Sequence, residues 1–169
     1  EKAARLTDVS GAKAGFLISF DKAEDSLFLQ KPAHQSGGGG LLSTITDYAR
    51  FLQMIANGGT LQGKQYLKTE SVKLMSTNQL PASITAISMG DEIRHGTGFG
   101  LGFSVRTASD KRWDKNAPLG EFGWGGMAST HYWISPKHDL VVITMEQTLP
   151  YNWNLEKDLK PLIYQAINK

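Results

Sequence analysis

Residues 120–147 read GEFGWGGMASTHYWISPKHDLVVITMEQ, and this stretch constrains the fold more than any other. Three short apolar runs are separated by a glycine-rich bend at Trp124-Gly125-Gly126 and a Pro136-Lys137-His138-Asp139 turn. Runs of this length, bounded by turn residues, specify three consecutive strands. Proline fixes φ at the second position of the later turn, and aspartate suits its end. The almost unbroken apolar run at 140–145 predicts a central strand buried on both faces. Glycines beside an aromatic residue at a strand end let bare backbone approach a ligand closely, so this segment is expected to form one wall of a site.

The rest of the chain supplies helices and further strands. Thr44 is a good N-cap with Asp47 three residues on, and Ile45, Tyr48, Phe51, Leu52, Ile55 and Ala56 recur on one face. Asn57-Gly58-Gly59 predicts the stop. A shorter helix is expected over 70–76, capped by Thr69. Residues 81–94 read as loop and 109–118 as a polar surface loop with Trp113. Glycines 96, 98, 100 and 102 alternate with Thr97, Phe99, Leu101 and Phe103, which predicts one strand with a tightly packed glycine face. The apolar run at 15–20 is a candidate strand. The four glycines at 37–40 suit a tight crossing or ligand-facing loop at least as well as a linker. Near the C-terminus, Leu155, Leu159, Leu162, Ile163 and Ala166 recur at helical spacing, with Pro161 expected to kink that helix or start its last part.

Composition removes several function classes. With 169 residues and 40% hydrophobic content the chain can bury a real core. A net charge of +2 gives no basic surplus of the kind nucleic acid demands, and no apolar run is long enough to span a bilayer. There is no cysteine, which excludes thiolate nucleophiles, disulfides and cysteine zinc sites. No metal or cofactor is expected. His34, His95, His131 and His138 make no zinc-protease pattern, and the glycine runs lack the lysine and the strand-then-helix setting of phosphate loops. The first residue is Glu1, so the chain reads as a piece of something longer.

Candidate nucleophiles are weak. Ser10-Gly11-Ala12-Lys13 and Ser19-Phe20-Asp21-Lys22 have the Ser-x-x-Lys spacing that puts an amine one helical turn from a hydroxyl, but neither opens a convincing helix. A local serine working with His131 or His138 stays open, although His131 reads as a half-buried structural histidine and His138 as a solvated turn residue.

Two stretches taken together resemble the serine β-lactamase-like superfamily, which includes class C β-lactamases, D-alanyl-D-alanine peptidases and related esterases. They are SGGGGLLSTITDYARFLQMIANGG, followed by LQGKQYL and LMSTNQL, and GTGFGLGFSV, followed by GWGGMASTHYWISPKHDLVVITMEQ. The resemblance implies an α+β fold of the α/β sandwich type: antiparallel strands, a packed C-terminal helix and part of a helical region, to which the helix near 44–57 would mainly belong. It places Trp124-Gly125-Gly126 where the family carries Lys-Thr-Gly or His-Thr-Gly, and some related esterases are similar in having Trp-Gly-Gly there. Carried over, Trp124, Gly125 and Gly126 would line the substrate and the Met127 backbone N–H would donate to the oxyanion, a contact worth roughly 3–4 kcal/mol.

Two departures shape the expected function. A lysine at position 124 would pair with a substrate carboxylate, whereas tryptophan offers one N–H and an apolar face. Neutral esters or amides are therefore favoured over β-lactams, unless Lys137 or an arginine replaces the charge. The family's Ser-x-x-Lys and Tyr-x-Asn or Ser-x-Asn motifs lie upstream of the glycine run, and Ser76-Thr77-Asn78 lies too far downstream and looks structural. Residues 1–169 are thus expected to be the C-terminal portion of one β-lactamase-like domain, inactive alone and partnered by its own N-terminal half or by self-association. A binding or regulatory module that kept the fold, or a β-lactamase or D-Ala-D-Ala carboxypeptidase, are the alternatives. The resemblance implies a periplasmic or extracellular setting.

Overall fold

Thr44 starts the first helix as its sequence demands. Its hydroxyl accepts the Asp47 N–H at 3.2 Å and donates to the Asp47 carboxylate at 3.1 Å, so helix α1 (Ile45–Ala56) opens with a satisfied cap. It closes with Gly59 N–H on the Met54 carbonyl at 2.8 Å and Gly58 N–H on Ile55 at 3.0 Å, with Gly58 at φ +63°. That is the double bond of a left-handed C-terminal cap. The computed structural model describes residues 43–148 and 150–167. The candidate strand at 15–20, the glycine run, His34 and both Ser-x-x-Lys tetrads lie outside the described residues.

A two-residue hairpin, β1 (Thr60–Leu61) and β2 (Lys64–Gln65), leads into helix α2 (Thr69–Met75). The Thr69 hydroxyl bonds back to the Gly58 carbonyl at 3.2 Å, so it ties α2 to the end of α1 instead of capping its own helix. The expected loop at 81–94 contains a second hairpin, β3 (Ala86–Met89) and β4 (Glu92–His95), turning at Gly90-Asp91. The expected single strand over 96–103 is also two strands, β5 (Thr97–Phe99) and β6 (Ser104–Arg106). The chain reverses between them because Gly100 N–H closes on the Phe103 carbonyl at 2.8 Å and Gly102 takes φ +99°. The tight glycine face is real: a Cβ at Gly98 would meet Asn78 Oδ1 at 2.2 Å, and one at Gly100 the Met75 carbonyl at 2.0 Å. Asn78 also accepts the Phe99 N–H at 3.0 Å, so Ser76-Thr77-Asn78 is a structural corner.

The three strands expected from 120–147 form as β7 (Phe122–Gly125), β8 (His131–Ser135) and β9 (Leu140–Thr144), with a single helical turn at Pro136–His138 between the last two. They continue an antiparallel five-stranded sheet in the order β5-β6-β7-β8-β9. The fully buried strand is β8, not β9. Among the described residues β9 lies at the sheet edge and four of its five residues are only half-buried, which corrects the expectation drawn from its apolar run.

One face of the sheet presents Val105, Phe122, Tyr132 and Ile134 to Leu52 and Ile55 of α1 and to Val72 of α2. Tyr48 meets Tyr132 edge-on at 5.4 Å. Helix α1 therefore packs on this sheet, where the resemblance had placed it mainly with a separate helical region. Burying a leucine or isoleucine fully is worth about 1.5–3 kcal/mol, so this face anchors the sheet.

The opposite face carries helix α3 (Asn154–Ile167), continuous through Pro161. Its buried stripe is Glu156, Lys160 and Tyr164, not the apolar series, and Leu155 and Leu162 are exposed. Lys160 Nζ sits 2.7 Å from Glu121, 2.7 Å from Glu156 and 2.6 Å from Asp114, with Tyr164 donating to Glu121 and the ammonium over the Trp133 ring at 4.7 Å. The sheet face beneath α3 offers charged and aromatic partners, and those select the side of the helix that is buried. No helix among the described residues is long and apolar enough to cross a membrane.

Candidate functional site

The candidate wall begins where β7 ends. Gly123 lies opposite Trp133, and Trp124 opposite Tyr132. A Cβ on Gly123 would lie 2.2 Å from the Tyr132 carbonyl, so only bare backbone fits between these strands. A Cβ on Gly125 would meet Tyr151 Oη at 2.6 Å and His131 at 2.9 Å, and one on Gly126 would meet Thr130 Oγ1 at 2.4 Å. The glycines thus accommodate neighbouring protein groups, a role the sequence reading had reserved for a ligand.

Beyond β7 the backbone turns. Gly126 N–H donates to Thr130 O at 2.7 Å, and Ser129 N–H returns to Gly126 O at 3.0 Å. Ser129 is fully buried at φ +65°; its hydroxyl donates to Thr148 O at 2.8 Å and accepts the Asn152 N–H at 3.1 Å. The turn is therefore pinned by the segment that leads into α3. Met127 sits at its tip with an exposed side chain, and among the described residues its N–H has no hydrogen-bond partner. An oxyanion donor has to be left unpaired by the fold, and in this turn Met127 N–H is while Gly126 N–H is not.

Trp124 is half-buried, edge-on to Phe99 at 4.9 Å, with the Arg94 guanidinium 5.3 Å from its ring. Arg94 is only 2% exposed and its Nε bonds Glu92 at 2.9 Å. Its charge is therefore buried and paired, not offered to a substrate carboxylate. Lys137 is exposed, but it follows the far end of β8 from the glycine bend. Neither restores the cation missing at position 124.

Behind the wall, His131 is 2% exposed, with Nε2 3.0 Å from Tyr151 Oη and Nδ1 3.7 Å from Glu146. Burial, helped by the charges of Arg94 and Lys160, pushes its pKa down to about 4. Burial likewise raises Tyr151, against the pull of Arg94. Both groups are neutral near pH 7, and His131 is the structural histidine the sequence suggested. His138 is half-buried, accepts or donates to Ser135 Oγ at 2.9 Å, and stacks on Tyr164. Ser135 has no exposed surface, so this Ser–His pair cannot reach a substrate.

Sequence reasoning missed Arg94, Trp113 and Trp153, which come together behind Trp124 around a cavity of about 40 Å³ lined also by Arg106 and Lys160, and it missed Tyr151, which meets Trp153 edge-on. Trp113, assigned to a surface loop, is half-buried there. The available signal was two tryptophans outside the strands, Trp113 and Trp153, but nothing local showed that they share one partner with Trp124.

Known proteins match both the sequence and the fold of this chain. The Beta-lactamase family model matches residues 3–163. Two Mycobacterium tuberculosis proteins, "Uncharacterized protein MT1414" of strain CDC 1551 / Oshkosh and "Protein Rv1367c" of strain ATCC 25618 / H37Rv, are each 38% identical over 122 residues. Those matches take in 70% of this chain and 30% of each relative, so the chain spans only part of their length. The crystal structure of a Bacteroides dorei DSM 17855 protein, provisionally named a beta-lactamase, superposes with TM-score 0.56 at 21% identity, over 82% of this chain and 46% of that one. With a family match across nearly the whole sequence and a fold to accompany it, this chain belongs to the Beta-lactamase family, within the serine hydrolase superfamily.

Proposed function

We propose that this chain supplies the substrate-facing wall and one oxyanion donor of a serine hydrolase that acts on neutral esters or amides, and that the nucleophile lies outside residues 1–169. The observation that carries the reading is the Met127 N–H, without a partner among the described residues, at the tip of a pinned turn beside a tryptophan where a cation would serve a carboxylate substrate. In the reaction a serine Oγ attacks the carbonyl carbon as its proton passes to a general base that, like the serine, lies outside residues 1–169 and later protonates the leaving group; the carbonyl π electrons move to oxygen, and that oxyanion accepts a hydrogen bond from the Met127 N–H. Collapse of the tetrahedral species expels the alcohol or amine and leaves an acyl-enzyme, which water then hydrolyses. Alone, the chain is inactive. Its own N-terminal half is the favoured partner, because Leu155 and Leu162 of α3 are exposed and β9 has one edge without a strand partner among the described residues.

Nitrophenyl-ester hydrolysis and fluorophosphonate labelling, run on this chain and on the longer protein that carries it, test the reading. Activity and a labelled serine are expected only in the longer protein; a label on any serine of residues 1–169 overturns it. Met127→Pro isolates the oxyanion donor. Position 127 is the second residue of the turn closed by Ser129 N–H on Gly126 O, where proline is well tolerated, and its N–H bonds none of the described residues. The fold should survive while kcat falls about 10²- to 10³-fold. An unchanged kcat removes Met127 from the mechanism.

A further inference from the structure

Arg94 touches three of the four tryptophans in the chain. Its guanidinium carbon lies 4.3 Å from the Trp153 ring centre and 5.3 Å from those of Trp113 and Trp124. The three rings come from three places: the end of β7, the loop after β6, and the segment that enters α3. Glu92, two residues earlier on β4, holds the Nε edge at 2.9 Å and cancels the charge. Trp124 thus meets both Phe99 and Arg94, and Trp113 and Trp153 also meet each other edge-on at 5.4 Å. A planar guanidinium presents two faces and an edge to such a cage, whereas an ammonium is a compact point charge that cannot stack.

We infer that Arg94 is a positioning residue for the substrate wall: it fixes the ring of Trp124, and with it the width of the pocket that receives the neutral ester. The inference rests on the hydrolase reading above for its substrate, but the Arg94–Trp124 link stands on geometry alone. A residue that only shapes a ground-state pocket changes KM, and its loss leaves the chemical step nearly intact. The contact's own worth bounds what its loss can pass on to substrate binding, a rise in KM of roughly fivefold to twentyfold at most.

The test uses the longer protein labelled with 5-fluorotryptophan, its four ¹⁹F resonances from this chain assigned by single Trp→Phe changes. In Arg94→Lys the resonances of Trp113, Trp124 and Trp153 should move, while Trp133, which faces Lys160 instead, stays in place. KM for nitrophenyl butyrate should rise about fivefold to twentyfold with kcat within twofold. A fixed Trp124 resonance overturns the inference, and so does a loss confined to kcat. If the unsubstituted protein is folded but hydrolyses no ester, the hydrolase reading fails while the fluorine spectrum still decides the role of Arg94. Should Arg94→Lys unfold, the four resonances collapse together. Glu92→Gln then carries the test, because it frees the guanidinium edge without changing residue 94. The same three signals should move with Trp133 unmoved; three unmoved signals overturn the proposal.

Discussion

Replacing Glu156 with glutamine should make the protein more stable in mild alkali, although it removes one partner of a buried ion pair. Among the described residues, Lys160 is the one ammonium within 2.7 Å of Asp114, Glu121 and Glu156. Burial opposes its charge, but the three carboxylates more than restore it and hold its pKa above the ordinary lysine value. Each carboxylate receives only a share of that one cation. For Glu156 burial wins, and its pKa rises from 4.5 to about 7. Between those values the folded chain holds a proton that the unfolded chain releases, so this group's stabilisation is present at low pH and is lost as pH rises through about 7. The linkage relation makes the loss between pH 5 and pH 8.5 about 2.5 kcal/mol. His131 works in the opposite sense: its folded pKa of about 4 lies below the usual 6.5, so its contribution is present above 6.5 and is lost as pH falls towards 4. The two slopes oppose each other between about pH 4.5 and 6.5, and the unsubstituted protein should show little pH dependence there. Glutamine mimics the protonated acid. Urea unfolding of Glu156→Gln should therefore show a gain of about 1–3 kcal/mol at pH 8.5, none at pH 5, and an acid-side decline now set by His131. Parallel stability curves for the two proteins from pH 5 to 8.5 would refute the shared-ammonium argument.

Lys160→Met leaves the buried carboxylates of Glu121 and Glu156 and the half-buried one of Asp114 without a cation and should cost about 3–5 kcal/mol at pH 8, with much of the loss recovered at pH 5, as read by thermal melting at both values. Gly123→Ala drives a methyl group to within 2.2 Å of the Tyr132 carbonyl and 2.9 Å of the Trp133 Cα, both backbone atoms that cannot swing aside. It should cost at least about 1–3 kcal/mol by denaturant titration, and a loss under 0.5 kcal/mol would mean that the β7–β8 spacing is looser than it is drawn.

The parts of the fold that were legible are those fixed by local chemistry. Thr44 with Asp47, Asn57-Gly58-Gly59, and the three runs between Gly120 and Gln147 each carry their own start and stop. What misled was burial inferred from composition. Leu140, Val141, Val142 and Ile143 form an apolar run, yet among the described residues they lie at the sheet edge and are only half-buried, because a run of that length cannot say which side of a sheet its neighbours take. The α3 stripe failed in the other direction. Leu155, Leu159 and Leu162 have helical spacing, but Glu156, Lys160 and Tyr164 have it too, and only the contact with Glu121 and Asp114, over thirty residues upstream, decides which side is buried. The hairpin at 86–95 was missed because its signal is a lone Gly90-Asp91 turn between short, weakly alternating arms. For the candidate site, the Trp-Gly-Gly segment and Met127 were visible as a motif, whereas Arg94 and its cage depend on non-local packing that no spacing encodes.

The short stretch entering α3 links these observations. Thr148 and Asn152 hold Ser129 and so fix the turn at whose tip the Met127 N–H has no partner among the described residues. Tyr151 lies against Gly125 and bonds His131, and Trp153 closes the cage on Arg94, which in turn touches Trp124. All the candidate wall residues are therefore referred to one segment, and that segment is fastened to the sheet by a charged interface, not by the leucines of α3. Such an arrangement suits an electrostatic donor, whose value depends on being aimed before the charge develops and on not reorienting as it does. Steric glycines, a neutral histidine–tyrosine pair and a charge-cancelled arginine hold the wall still without placing a net charge beside the substrate. That is the electrostatic setting in which an uncharged ester gains most from one well-aimed N–H.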